Sequence, residues 1–85
     1  MNKHHTLKIK QEYMEAIQVG RKTFEIRKND RNFMIGDTIR FTTVHGWETT
    51  GAPNYLILYV LNHEDFPAGI PKDYCVFSIK PLVED

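Results

Sequence analysis

Gly20-Arg21-Lys22-Thr23-Phe24-Glu25-Ile26-Arg27 is where the chain changes its periodicity. Ahead of it, from Gln11 to Val19, Tyr13, Met14, Ala16 and Ile17 fall at helical spacing and predict one short helix packing through Met14 and Ile17. Gly20 then stops it, because glycine readily takes the left-handed conformation that ends helices. From Thr23 onward the repeat becomes two. Phe24 and Ile26 share one face, and Thr23, Glu25 and Arg27 share the other. That pattern predicts a half-buried strand with its apolar pair inward and its charged face outward.

Working outward, residues 5–10 alternate with Leu7 and Ile9 on one face and read as a first strand. Lys28 to Asn32 is a polar turn, and Gly36-Asp37 is a tight one. Thr38 to Val44 reads as a strand with Ile39 and Phe41 inward, and residues 45–54 as a loop. Tyr55 to Leu61 is a continuous apolar run suited to a central, well-buried strand. Asn62 to Asp73, with two prolines and a glycine, reads as a second loop. Tyr74 to Lys80 alternates again, with Cys75, Phe77 and Ile79 on one face. The chain is therefore expected to be mainly β with one or two helices (α+β). Its five or so short, hairpin-connected strands favour a small closed or nearly closed barrel, since closure removes exposed edges, with the helix capping one end.

Eighty-five residues make a single domain, 1–85, with 41% hydrophobic residues for one core. Lys plus Arg and Asp plus Glu number eleven each, so net charge says nothing about partners. Its distribution says more. Residues 20–32 hold five basic against two acidic side chains, and residues 64–85 hold two basic against five acidic. The basic segment suits phosphate. The lone Cys75 has no disulfide partner and sits in an apolar run, as a buried inert thiol would. No stretch approaches the roughly 18 apolar residues of a membrane span, and no signal peptide is recognisable, so a cytoplasmic location without membrane contact is expected.

On the strand that follows Gly20, Glu25 and Arg27 lie about 6.5–7 Å apart along the chain, with Lys22 just before them. An ammonium, a carboxylate and a guanidinium around one spot can bind a polar ligand. Arg27 would fork onto phosphate, Glu25 accept from the exocyclic amine of a base, and Lys22 add a point charge. The plain alternative is a solvated strand face whose opposite charges pair and contribute little.

Gly20, Lys22, Glu25 and Arg27 match the Gly-x-Lys-x-x-Glu-x-Arg signature of the ASCH domain without departure. The lead-in Leu7-Lys8-Ile9-Lys10 with Tyr13 and Ile17, and the following Asn29-Asp30-Arg31-x-Phe33-x-x-Gly36-Asp37, resemble a small bacterial and phage branch of that family of unknown function. The resemblance spans essentially the whole chain. It implies a PUA-like β-barrel and an RNA-binding role, with the site in a cleft beside the signature helix and strand. Some proteins it resembles are amidohydrolases that deacetylate 4-acetylcytidine with a lysine matching Lys22, a threonine three residues later and a distant glutamate. Here Glu25 stands in the threonine's place, and Thr23 is one step from Lys22 with opposite parity; Glu64 is the candidate for the glutamate.

The resemblance thus implies a non-catalytic RNA- or nucleotide-binding module without cofactor, its ligand site made by Gly20, Lys22, Glu25, Arg27, Arg31 and Trp47. If any residues are catalytic, they are Lys22 and Glu25, in an amidohydrolase acting on a modified nucleoside. A third reading is a protein-interaction module using the acidic C-terminal end. Trp47 either stacks on a base or covers the barrel's open end. Tyr55, Tyr59 and Tyr74 read as core or rim packing. Lys28, Arg31 and Arg40 either extend the basic surface or keep a turn soluble. His4, His5, His45 and His63 lack metal-ligand spacing with one another or with Cys75, so no metal site is expected.

Overall fold

The computed structural model describes residues 1–45 and 51–83. Five strands and one α-helix follow in the order β1 His4–Lys8, α1 Gln11–Gln18, β2 Phe24–Lys28, β3 Thr38–Thr42, β4 Tyr55–Asn62 and β5 Tyr74–Pro81. A single turn of 3-10 helix over His63–Asp65 punctuates the second loop. The strands make one curled half-barrel sheet in the order β1-β3-β4-β5-β2. Hairpins join β3 to β4 and β4 to β5, but β1 runs parallel to β3, and β2 pairs antiparallel with the distant β5. The barrel stays open: among the described residues no ladder joins β1 to β2.

The core is the concave side of this sheet with the inner face of α1. Leu7, Ile9, Met14, Ile17, Phe33, Ile39, Phe41, Tyr55, Ile57, Cys75, Phe77 and Ile79 form one buried cluster. Cys75 lies wholly inside it, and burial first, then the nearby Asp30 charge, pushes its thiol up to about 11, which leaves it inert. Tyr55 packs against Phe41 in the core, with ring centres 5.6 Å apart and planes tilted by 58°.

Two faces differ from expectation. In β2 the apolar pair points out: Phe24 and Ile26 are about half exposed, while Glu25 is buried at 5%. The cause is register. Glu25 pairs with Phe77 and Arg27 with Cys75, and facing residues of paired strands share a side of the sheet, so the inward side of β5 takes Glu25 and Arg27 with it. In β4 only Tyr55 and Ile57 are buried. A bulge between Ile57 and Tyr59 shifts the alternation, and Leu58 and Tyr59 emerge on the outer face.

One buried polar node ties the edge strand down. The Asp37 carboxylate is fully buried and accepts from His5 Nε2 at 2.8 Å, from the Lys3 backbone N–H at 2.9 Å and from the Met34 backbone N–H at 3.0 Å. Burial alone would raise its pKa. The hydrogen bonds from His5, Lys3 and Met34, with the His5 charge, outweigh that and hold it below the ordinary 3.8.

Candidate functional site

The site begins at the end of α1. Gly20, at φ +80°, is the left-handed residue of a Schellman turn. Its N–H donates to Ile17 O at 3.1 Å, and the Arg21 N–H donates to Ala16 O at 2.9 Å. The Lys22 N–H reaches the same carbonyl at 3.0 Å, which folds the chain back over the helix end and aims Lys22 into the gap between β1 and β2. A Cβ at Gly20 would meet nothing within 4 Å, so only backbone strain opposes substitution. Gly20→Ala should therefore cost about 1–2 kcal/mol, read as a lower denaturation midpoint with an unchanged slope; an unmoved midpoint would contradict the turn.

That gap is a cleft of about 700 Å³. Backbone parity explains it. The Thr38 N–H donates to Lys3 O and the Ile9 N–H to Thr42 O, so odd residues of β1 face β3 and even ones face the gap. The Ile79 N–H donates to Thr23 O and the Asn29 N–H to Asp73 O, which leaves the backbone of Phe24, Ile26 and Lys28 facing the gap from the other side. Guanidinium groups span the opening in place of a ladder. Arg27 Nη2 donates to Lys8 O at 2.7 Å, and Arg31 Nη1 donates to Thr6 O at 3.1 Å.

Glu25 sits on the floor. Its Oε1 takes the Lys22 ammonium and its Oε2 takes Arg27 Nε at 2.8 Å. Lys22 Nζ also lies 5.3 Å from the ring centres of both Tyr13 and Phe24, a cation between two aromatic faces. The lining holds Lys8, Lys10, Lys22, Arg27, Lys28 and Arg31 against Glu25 and Asp30, six basic groups to two acidic, or +4 in a chain of zero net charge. Tyr13, Phe24 and Tyr74 bring half-exposed rings to the same lining.

Of the residues singled out from sequence, Lys22, Glu25, Arg27, Lys28 and Arg31 meet in this cleft. Gly20 shapes it from behind, lining a smaller cavity of about 280 Å³ with Thr23 and Tyr55. Arg40 is outside it, with Nη1 on Asn54 Oδ1 at 3.4 Å. Glu64 is exposed on the 3-10 turn, away from the cleft lining. Trp47 falls outside the described residues. Tyr13, Phe24 and Tyr74 were not read as cleft residues; the signal for Tyr13 was its place three residues after Lys10, which puts a ring and an ammonium on one helix-end face, with Lys10 Nζ now 5.8 Å from that ring. Asn29, also unassigned from sequence, braces the loop: its Oδ1 accepts the Phe33 N–H at 3.0 Å and its Nδ2 donates to Asn62 Oδ1 at 3.1 Å. No group of three or more His, Cys, Asp or Glu side chains placed to hold a metal occurs among the described residues, and no helix among them is long and apolar enough to cross a membrane.

Fold and site together define a small α+β half-barrel with a basic, aromatic-walled cleft at its unclosed edge. The chain belongs to the family described as Domain of unknown function (DUF3850), whose model matches residues 4–79. Among solved structures it is similar to the crystal structure of hypothetical protein PH0355, with a TM-score of 0.62 at 17% identity, covering 93% of this chain and 99% of that one; that likeness concerns the fold. No curated protein matches.

Proposed function

We propose that the chain is an RNA- or nucleotide-binding module of the ASCH type on a PUA-like half-barrel, and that it binds without catalysis. The observation that carries this is the +4 cleft with exposed rings at its wall, in a molecule of zero net charge. Clustered cations favour phosphate, and aromatic faces favour bases irrespective of sequence. Glu25 adds an acceptor for an exocyclic amine. The lining of this cleft contains no serine or threonine; Thr23, next to Lys22, lines the smaller cavity behind it, which disfavours a nucleophilic hydroxyl in the cleft itself. Incubation with 4-acetylcytidine should release no acetate.

Titration of labelled RNA oligonucleotides and nucleotides against wild type and Arg27→Ala tests the reading. Losing the guanidinium should weaken binding about 10-fold and reduce its dependence on salt. Equal binding by both proteins, or none by either, sinks it.

A further inference from the structure

Resting on that reading, we infer that the ligand is a single-stranded polynucleotide held by two adjacent phosphates, rather than a free mononucleotide. The spacing of the groups carries it. Arg27 and Arg31 are each tethered by one nitrogen to a β1 carbonyl, Lys8 O and Thr6 O. Those carbonyls are two residues apart on one strand, about 6.6 Å. Each guanidinium keeps its other terminal nitrogen without a partner among the described residues. Two guanidinium groups at that pitch match the repeat of an extended sugar–phosphate backbone, and their anchorage limits what a ligand must order.

The rings are spaced to suit. Phe24 opens β2 beside Tyr13 and Lys22, whereas Tyr74 pairs with Lys28 at the strand's other end. Four residues of strand separate the two stations, about 13 Å. One base cannot touch both; the stations stand at about twice the 6.6 Å pitch of the guanidinium pair, so bases two repeats apart on one extended strand reach them. Lys28, exposed on the same edge, adds a further cation to the lining. A nucleoside triphosphate offers enough charge but only one base, and an extended peptide could pair with the bare edges but would leave the cations unanswered.

A length series decides it. Affinity should be measured for a nucleoside monophosphate, a nucleoside triphosphate, a 5′-phosphorylated dinucleotide, a trinucleotide and a hexanucleotide, in RNA and DNA forms, with a neutral hexapeptide alongside. The dinucleotide is expected to bind at least about 10-fold tighter than either single nucleotide, the trinucleotide to gain up to about 10-fold more from the second ring, and each residue beyond it less than about 3-fold. Its log K should fall with log salt at a slope of roughly −1.4, two phosphates' worth for a single strand. Arg31→Gln should remove about half of that slope and most of the dinucleotide advantage, while Glu15→Gln, exposed on α1 and outside the lining, changes neither. Unchanged thermal midpoints in both variants will show that folding is not the cause. If the monophosphate or triphosphate binds as tightly as the dinucleotide, the two-phosphate site is overturned while nucleotide binding stands. Affinity rising steadily to the hexanucleotide, or tighter binding of the peptide, overturns it as well. Binding of no nucleic acid at all overturns the underlying reading.

Discussion

Asp37→Asn is expected to cost the fold about 3–5 kcal/mol at neutral pH, because it strips the acceptor from a buried histidine and sets an amide N–H against backbone donors. A domain of this size has only about 4–13 kcal/mol in total, so the variant should melt some 15 °C or more below wild type. The effect also has a pH signature. The folded carboxyl titrates below its ordinary 3.8, so its contribution is complete above that value and disappears as pH falls through the lower folded one. The gap between wild type and Asp37→Asn should be fully open at pH 5 and narrow below about pH 4. Chemical denaturation of both proteins at a series of pH values reads this directly. A gap under about 1 kcal/mol at pH 7, or one that does not narrow in acid, would show that the node does not hold β1 to β3.

Why Asp37 escaped the sequence shows what a sequence can transmit. Gly36-Asp37 was legible as a turn, since φ +93° at Gly36 is glycine chemistry and turns are local. The carboxylate's partners are not local: Lys3 and His5 reach it only because β1 lies parallel beside β3. The same limit applies to β2. Alternation at Phe24–Lys28 establishes that two faces exist, but which one is inward depends on the pairing of Glu25 with Phe77, some fifty residues away. A charged pair facing inward is also improbable on burial grounds unless the core ends there, and the core ends there because the barrel is open. The alternating strands, the helix through Met14 and Ile17, and the stop at Gly20 were readable because each is a short-range pattern with its own physical cause.

The candidate site was legible to a corresponding extent. Lys22, Glu25 and Arg27 are near neighbours on the chain, so their convergence follows from a tight turn and one strand. The cleft's β1 wall, its +4 balance and its rings depend on the seam between strands that do not pair, and no local signal announces an unformed ladder. Placing Phe24 in the core hid a ring of the cleft lining, whereas Arg31 lines the cleft with its guanidinium reaching Thr6 O across the gap.

The inverted face makes Glu25 the residue whose loss separates fold from ligand. Glu25→Gln keeps the volume but removes the one carboxylate held by both Lys22 and Arg27. Because those two side chains remain about one-fifth exposed, water recovers part of their solvation, and the expected cost is about 2 kcal/mol rather than that of a fully buried pair. An ordinary surface glutamate would change stability by at most about 0.5 kcal/mol. Binding should move the other way. The lining rises from +4 to +5, and a phosphate some 7 Å from the lost charge should be held a few-fold more tightly at low salt, an advantage that fades above about 0.15 M as screening takes over. Selectivity should fall at the same time, since the exocyclic amines of cytosine, adenine and guanine exchange a charged acceptor for the weaker amide oxygen of Gln, while uracil loses nothing. Affinities for matched oligonucleotides of each base, at two salt concentrations, distinguish these effects. A variant that is less stable, binds phosphate better and discriminates bases less is the predicted result. Uniformly weaker binding of every base, with stability intact, would mean that Glu25 serves the cleft in some way other than as a buried counter-charge and base acceptor.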